Sequence, residues 1–275
     1  MTPFSSSVRM SCAPILAMFG LTLTAAGSHL RADSPQVVRC DGELARLEER
    51  YGLQVILDAE FPVKTRHGEI RGRRADREDL ASYVPVLAAE WNVYPPELVE
   101  QAGLRRLVLC ENLRFDGQQR TAVPDFEHNG LYLDVGRGCY SEMYVRKVIH
   151  HEFFHMIDLR DDGALYADER WAALNPAGFQ YGSGGRNAQD DPRVSLFSEE
   201  RPGFLNRYAI TGVEEDKAEL FAHMLVDGPA LERRAARDQP LRAKMQRMQE
   251  LLRAFCPEAD QAFWDAASDV PRPRH

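Results

Sequence analysis

Runs and alternations of apolar residues divide most of this chain into strands and helices. Residues 53–57 and 104–110 are apolar runs of strand length. Residues 121–126 and 130–135 flank Asn129-Gly130, a pair that tolerates positive φ and favours a hairpin turn. Helical spacing covers 43–51 and 77–91, and a proline opens a helical turn at 96–102. Further helices are expected over 229–255 and 257–267. The pattern predicts an α+β protein with one domain over 33–268, a loose tail over 269–275 and no internal repeat.

The longest helical signal starts behind Ser141 and Glu142 and stops at Asp161-Asp162-Gly163. At about 100° per residue, Val145, Ile149, Phe153, Met156 and Ile157 form one apolar face. The other face carries Tyr144, Val148, His151, His155 and Asp158, away from that core. Within it lies His151-Glu152-Phe153-Phe154-His155. Histidines four apart stand one above the other on a helix, so both rings can reach one metal ion. Glu152 is turned about 100° from them and can reach a water rather than the ion. Asp158 falls near the His151 direction one turn on, where a carboxylate could hold the outer N–H of a ligating imidazole. His150 points elsewhere and reads as a flanking residue or one that supports the ligands, rather than a ligand itself.

A catalytic zinc takes three protein ligands and keeps one position open. Downstream, Glu214, Glu215, Asp216, Glu219 and His223 are the candidates, on a helix that Thr211 or Gly212 can cap. Glu215 and Glu219 share a face, so one can bind metal while the other orients a ligand.

The combination of His151-Glu152-x-x-His155-x-x-Asp158, Tyr208-Ala-x-Thr and Glu215-x-x-x-Glu219 resembles the catalytic domain of anthrax toxin lethal factor and related bacterial zincins. The likeness covers about a third of the chain, from Tyr144 to His223. It implies a gluzincin-like metallopeptidase with one Zn2+ on His151, His155 and Glu215. In that pattern Glu152 is the general base, Tyr208 donates to the developing oxyanion, and Glu219 supports the ligands. It also implies a zincin-like fold, a small mixed sheet on the active helix with a helical C-terminal half. The stretch between Asp158 and Tyr208 is longer than the resemblance leads one to expect, with Trp171, Tyr181 and Gly182-Ser183-Gly184-Gly185 in it. Such a loop sets substrate choice. Two other readings of the same residues stand: a zinc hydrolase of a non-peptide substrate, and a catalytically silent binding protein on the same scaffold. A sheet edge beside the helix would accept an extended peptide by strand addition, but the sequence does not say which strand it is.

Composition narrows the setting. Residues 1–32 carry Arg9, a short apolar run and small residues before Asp33, the pattern of a secretory signal peptide. Export of the mature chain follows, without stable membrane insertion. Losing Arg9 and Arg31 moves the formal charge from −8 to two units lower, which argues against nucleic acid; the zincin resemblance implies a protein or peptide substrate as partner. Lys64, Arg66, His67, Arg71, Arg73, Arg74 and Arg77 read as a solvated basic loop. Arg233, Arg234, Arg237, Arg242, Lys244 and Arg247 read as the wet face of a C-terminal helix. Cys40, Cys110, Cys139 and Cys256 remain after the leader, an even count that suggests Cys40–Cys256 and Cys110–Cys139 disulfides. Gly182 to Gly185 could form a lid, and Asp190-Asp191 could meet a cation.

Overall fold

The computed structural model describes residues 35–139, 141–182, 184 and 201–273. The expected leader and Asp190-Asp191 lie outside the described residues. Among the described residues, no helix is long and apolar enough to cross a membrane.

The chain begins with helix α1 (Pro35–Tyr51), then β1 (Gln54–Ile56), β2 (Val63–Thr65) and β3 (Gly68–Arg74). Helices α2 (Arg77–Trp91) and α3 (Pro96–Gln101) follow. Then come β4 (Arg106–Phe115), β5 (Gln118–Gln119), β6 (Ala122–Asp125) and β7 (Gly130–Asp134). A 3-10 turn over Val135–Cys139 leads to α4 (Glu142–Asp162) and the short α5 (Glu169–Ala172). The C-terminal part is helical: α6 (Val213–Val226), α7 (Gly228–Ala235), α8 (Gln239–Phe255) and α9 (Gln261–Ser268).

The seven strands form one mixed sheet, ordered β2-β3-β4-β7-β6, with β1 and β5 also on β4. Strand β4 is its spine, parallel to β1 and β7 and antiparallel to β3 and β5. Its run of buried residues from Leu107 to Glu111 explains why the apolar signal there was strong. Among the described residues, strand β6 pairs antiparallel with β7 alone and ends the sheet. The turn between them carries Asn129 at φ 54°, a left-handed conformation that asparagine tolerates. Behind the sheet, α2 and α4 meet through an aromatic cluster. Trp91, Tyr94 and Phe153 lie 4.7–5.6 Å apart by ring centroids. Edge-to-face contacts of this kind add to the burial of large apolar area.

Several expectations need correction. The basic stretch is not a solvated loop: it is the β2–β3 hairpin, with Ile70 fully buried while its arginines point outward. One inward side chain per turn of the pleat left too little apolar signal to read. Lys244 is not on a wet face but buried, because Asp216 on α6 holds its ammonium at 2.7 Å. The tail is pinned as far as Arg272, whose guanidinium forks onto Glu90 at 2.6 and 3.0 Å. The expected disulfides are not formed. Cys40, Cys110 and Cys256 are buried free thiols, and each sulfur faces an oxygen on its own neighbours instead: Ala81, Leu133 and Glu258. The even count misled because burial, not pairing, accounts for these residues. In protein denatured without reductant, Cys40, Cys110 and Cys256 should each alkylate fully. A linked Cys40–Cys256 peptide in the mass spectrum would contradict the fold described.

Candidate metal centre

Helix α4 forms where its caps require it to. Ser141 accepts from the Tyr144 N–H at one end, and Gly163 closes the other at φ 76°. Helix α6 begins behind an extended Gly212 and crowds Glu214, Glu215 and Asp216 into its first turn, where the helix dipole favours negative charge. The two helices lie along one another. The face of α4 expected to point away from the core is therefore covered: His151 and His155 are 6% and 7% exposed, and Glu215 7%.

Three atoms converge there. His151 Nε2 lies 3.0 Å from Glu215 Oε2, His155 Nε2 lies 3.2 Å from His151 Nε2, and His155 Nε2 lies 3.6 Å from Glu215 Oε2. Ligand atoms about 2.0–2.2 Å from a tetrahedral zinc sit about 3.3–3.6 Å apart. The triangle thus fits such an ion with shifts of a few tenths of an ångström. Two imidazole nitrogens facing each other and a carboxylate need a cation or proton between them. Burial pulls the His151 ring toward neutrality, but bonding to Glu215 and Glu219 outweighs it and holds the ring well above the usual histidine range. Burial likewise pushes the Glu215 carboxyl up, and the two imidazoles overcome it and hold it well below the usual carboxylate range. A charged His151 is thus held between Glu215 and Glu219.

Glu219 Oε1 stands 3.0 Å from His151 Nδ1, and its other oxygen accepts from Asn206 Nδ2 at 2.6 Å. Asn206, missed in the sequence, also fixes the approach to Tyr208 by accepting from the Ala209 N–H at 2.9 Å. An asparagine at a turn before an acidic helix was its only signal. The Tyr208 hydroxyl donates to Glu215 Oε1 at 2.8 Å. Glu152 is half-buried in the same groove. Its burial raises the carboxyl above the usual range, against the two imidazoles and Arg120, which draw it down.

Asp158 does not hold an imidazole. It is ion-paired with Lys217 on α6, whose ammonium also meets Asp168 at 3.1 Å. Burial pushes Asp158 up to about 6 while Lys217 lowers it, so at neutral pH the pair is charged. His150 does more than flank: it is wholly buried between Tyr94, at 2.5 Å, and Glu90, at 2.8 Å. Glu90 also binds Arg146, which anchors α4 to α2. Of the other candidate ligands, Asp216 is taken by Trp171, Tyr181 and Lys244, and His223 Nδ1 faces the Glu219 carbonyl. Glu214 lines the groove outside the triangle. The long insert is fastened through these same partners: Trp171 and Tyr181 reach Asp216, and the Gly182 and Gly184 N–H groups donate to Ile210 and Thr211. Those ties count against a freely swinging lid at Gly182 and Gly184; Ser183 and Gly185 lie outside the described residues.

The triad opens into a groove of about 1440 Å³ that runs along β6 and is also lined by Glu152 and Tyr208. By sequence, no family model and no curated protein matches the chain. By structure, the chain is similar to a crystal structure from Bacteroides caccae ATCC 43185 described as a putative zinc-binding metallo-peptidase. The match has a TM-score of 0.53 at 16% identity and covers 87% of this chain and 94% of that one. The fold is metallopeptidase-like. The comparison does not reach the lethal-factor catalytic domain, and at this identity it speaks for the fold alone.

Two outcomes follow for purified protein. Wild type should hold about one zinc per chain by mass spectrometry, and His155→Ala and Glu215→Ala should each lose most of it. Lys217→Ala should cost about 3–5 kcal/mol in chemical denaturation, because it leaves Asp158 and Asp168 buried without a counter-charge.

Proposed function

We propose that the protein is a zinc metallopeptidase of the gluzincin-like kind, acting outside the cytoplasm on an extended peptide laid along β6. The observation that carries the reading is the juxtaposition of a two-histidine, one-glutamate triad, a partly buried acid and the last strand of the sheet among the described residues, all lining one groove.

The ladder tells how the edge would be used. Asp134 N–H donates to the Thr121 carbonyl, so Thr121, Val123 and Asp125 turn their backbone groups toward β7. Ala122 and Pro124 turn theirs outward. Ala122 offers a donor and an acceptor to an incoming strand, and Pro124 an acceptor only. Main-chain pairing at these points holds a peptide past the ligand triad whatever its side chains are.

His151, His155 and Glu215 would hold the zinc ion, with Glu219 behind His151. When bound, the ion polarises a carbonyl and lowers the pKa of a water to about 7. Glu152 accepts the proton of the attacking water and delivers it to the leaving amine. Its raised pKa makes it a stronger base toward the attacking water than an ordinary carboxylate. Tyr208 is kept protonated by burial and by the carboxylates around it, so it is a donor across the physiological range. It donates to Glu215 in the substrate-free protein and serves the oxyanion by turning from that oxygen.

Glu152→Gln should keep its zinc and lose about 10²–10⁴-fold in kcat on peptides cleaved by wild type. Tyr208→Phe should lose about 10²-fold in kcat with little change in KM. Full activity of Glu152→Gln would remove this reading. Zinc binding without turnover on any proteome-derived peptide would leave a silent scaffold in its place.

A further inference from the structure

An arginine stands beside the edge strand of the groove. Gln119, Arg120 and Thr121, just before β6, all line it, next to the apolar Val123 and Val148. The Arg120 backbone is fixed, its N–H donating to the Leu113 carbonyl at 2.9 Å, and one guanidinium nitrogen is braced by Gln118 Oε1 at 2.6 Å. The side chain is half-buried and within electrostatic reach of Glu152. Of the other guanidinium and ammonium groups lining the groove, Arg66 is exposed beside Glu127, Lys147 is paired with Asp227, and Arg137 stands in the 3-10 turn after β7 rather than on the edge strand's side.

We infer that Arg120 is a specificity-determining residue that binds a substrate carboxylate on the C-terminal side of the cleaved bond. The inference rests on the peptidase reading. A guanidinium presents a planar fork of donors that matches a carboxylate, and it keeps its charge at every relevant pH. Two arguments set the side. Antiparallel addition is the stronger ladder, and it sends the C-terminal half of a peptide toward the N-terminal end of β6, where Arg120 stands. The leaving amine begins that same half and must meet Glu152, the acid whose charge Arg120 feels. The carboxylate comes either from the free C-terminus of a short product or from an Asp or Glu side chain.

The test is a cleavage profile on a proteome-derived peptide library, followed by binding to the Glu152→Gln variant. The expected profile is enriched either in cuts close to a free C-terminus or in Asp and Glu just after the cut. Matched fluorescent peptides then separate the two sources: C-terminal amidation weakens binding if the terminus is read, and Glu→Gln in the peptide weakens it if the side chain is read. Either loss should be about tenfold or more, the scale of a charge-assisted bond. It should vanish when Arg120→Gln is added and shrink without vanishing with Arg120→Lys, which keeps the charge but not the fork, while thermal melting shows both variants folded. Binding that ignores both changes, or a preference that survives Arg120→Gln, overturns the role of Arg120 and leaves the peptidase reading standing. No cleavage and no binding of any peptide would instead overturn the peptidase reading itself.

Discussion

The site depends on the burial of one acidic helix against one basic-and-acidic helix. The first turns of α6 place Glu214, Glu215, Asp216 and Glu219 where little water reaches. A buried carboxylate without a partner costs several kcal/mol, so each must find a donor or a cation on the surface it packs against. Most of those partners lie on α4 or on elements docked to it. His151 and His155 meet Glu215, His151 meets Glu219, and Lys217 on α6 itself reaches back to Asp158 on α4. Lys244 from α8 answers Asp216. The polar seam admits one register, because sliding α6 by a residue would unpair several buried charges at once.

That seam also explains why the centre suits a divalent ion. Glu152, Glu214, Glu215 and Glu219 all line one groove, against two imidazoles of the triad. The carboxylates of Glu215 and Glu219 beside His151 hold that ring well above the usual histidine range. An ion of charge two at the same place would let the imidazoles act as neutral ligands. A second buried network, Glu90 with Arg146, His150 and Arg272, holds the opposite side of α4 to α2. Between the two, the helix that carries both histidines is fixed on every face, which is the preorganisation a metal centre requires.

Much of this was legible in the sequence because it is local. The 142–162 helix, its serine and glycine caps, the 77–91 helix and the β6–β7 hairpin are each written in a few neighbouring residues. The spacing of His151, Glu152 and His155 on one helix is local too. Glu215 was selected by resemblance rather than by spacing, since five acids and histidines shared its stretch. What was not legible is long-range. The β2–β3 hairpin shows one buried side chain among many charges, so its strand character appears only once β4 is beside it. Lys217 and Lys244 look like surface lysines until Asp158 and Asp216 are opposite them. Asp158 was assigned to an imidazole from helical geometry alone, and a lysine from another helix claimed it first. The free cysteines are the same error in another form: counting residues cannot tell which thiols meet.

The central claim is that His151 and His155 on one helix and Glu215, 64 residues after His151, gather round one divalent ion. Anomalous diffraction from zinc-loaded crystals, collected on both sides of the zinc edge, tests it most directly. The account predicts one strong peak about 2.0–2.2 Å from His151 Nε2, His155 Nε2 and a Glu215 oxygen. A peak that lacks Glu215, or that sits at another cluster while this triangle stays empty, would contradict it.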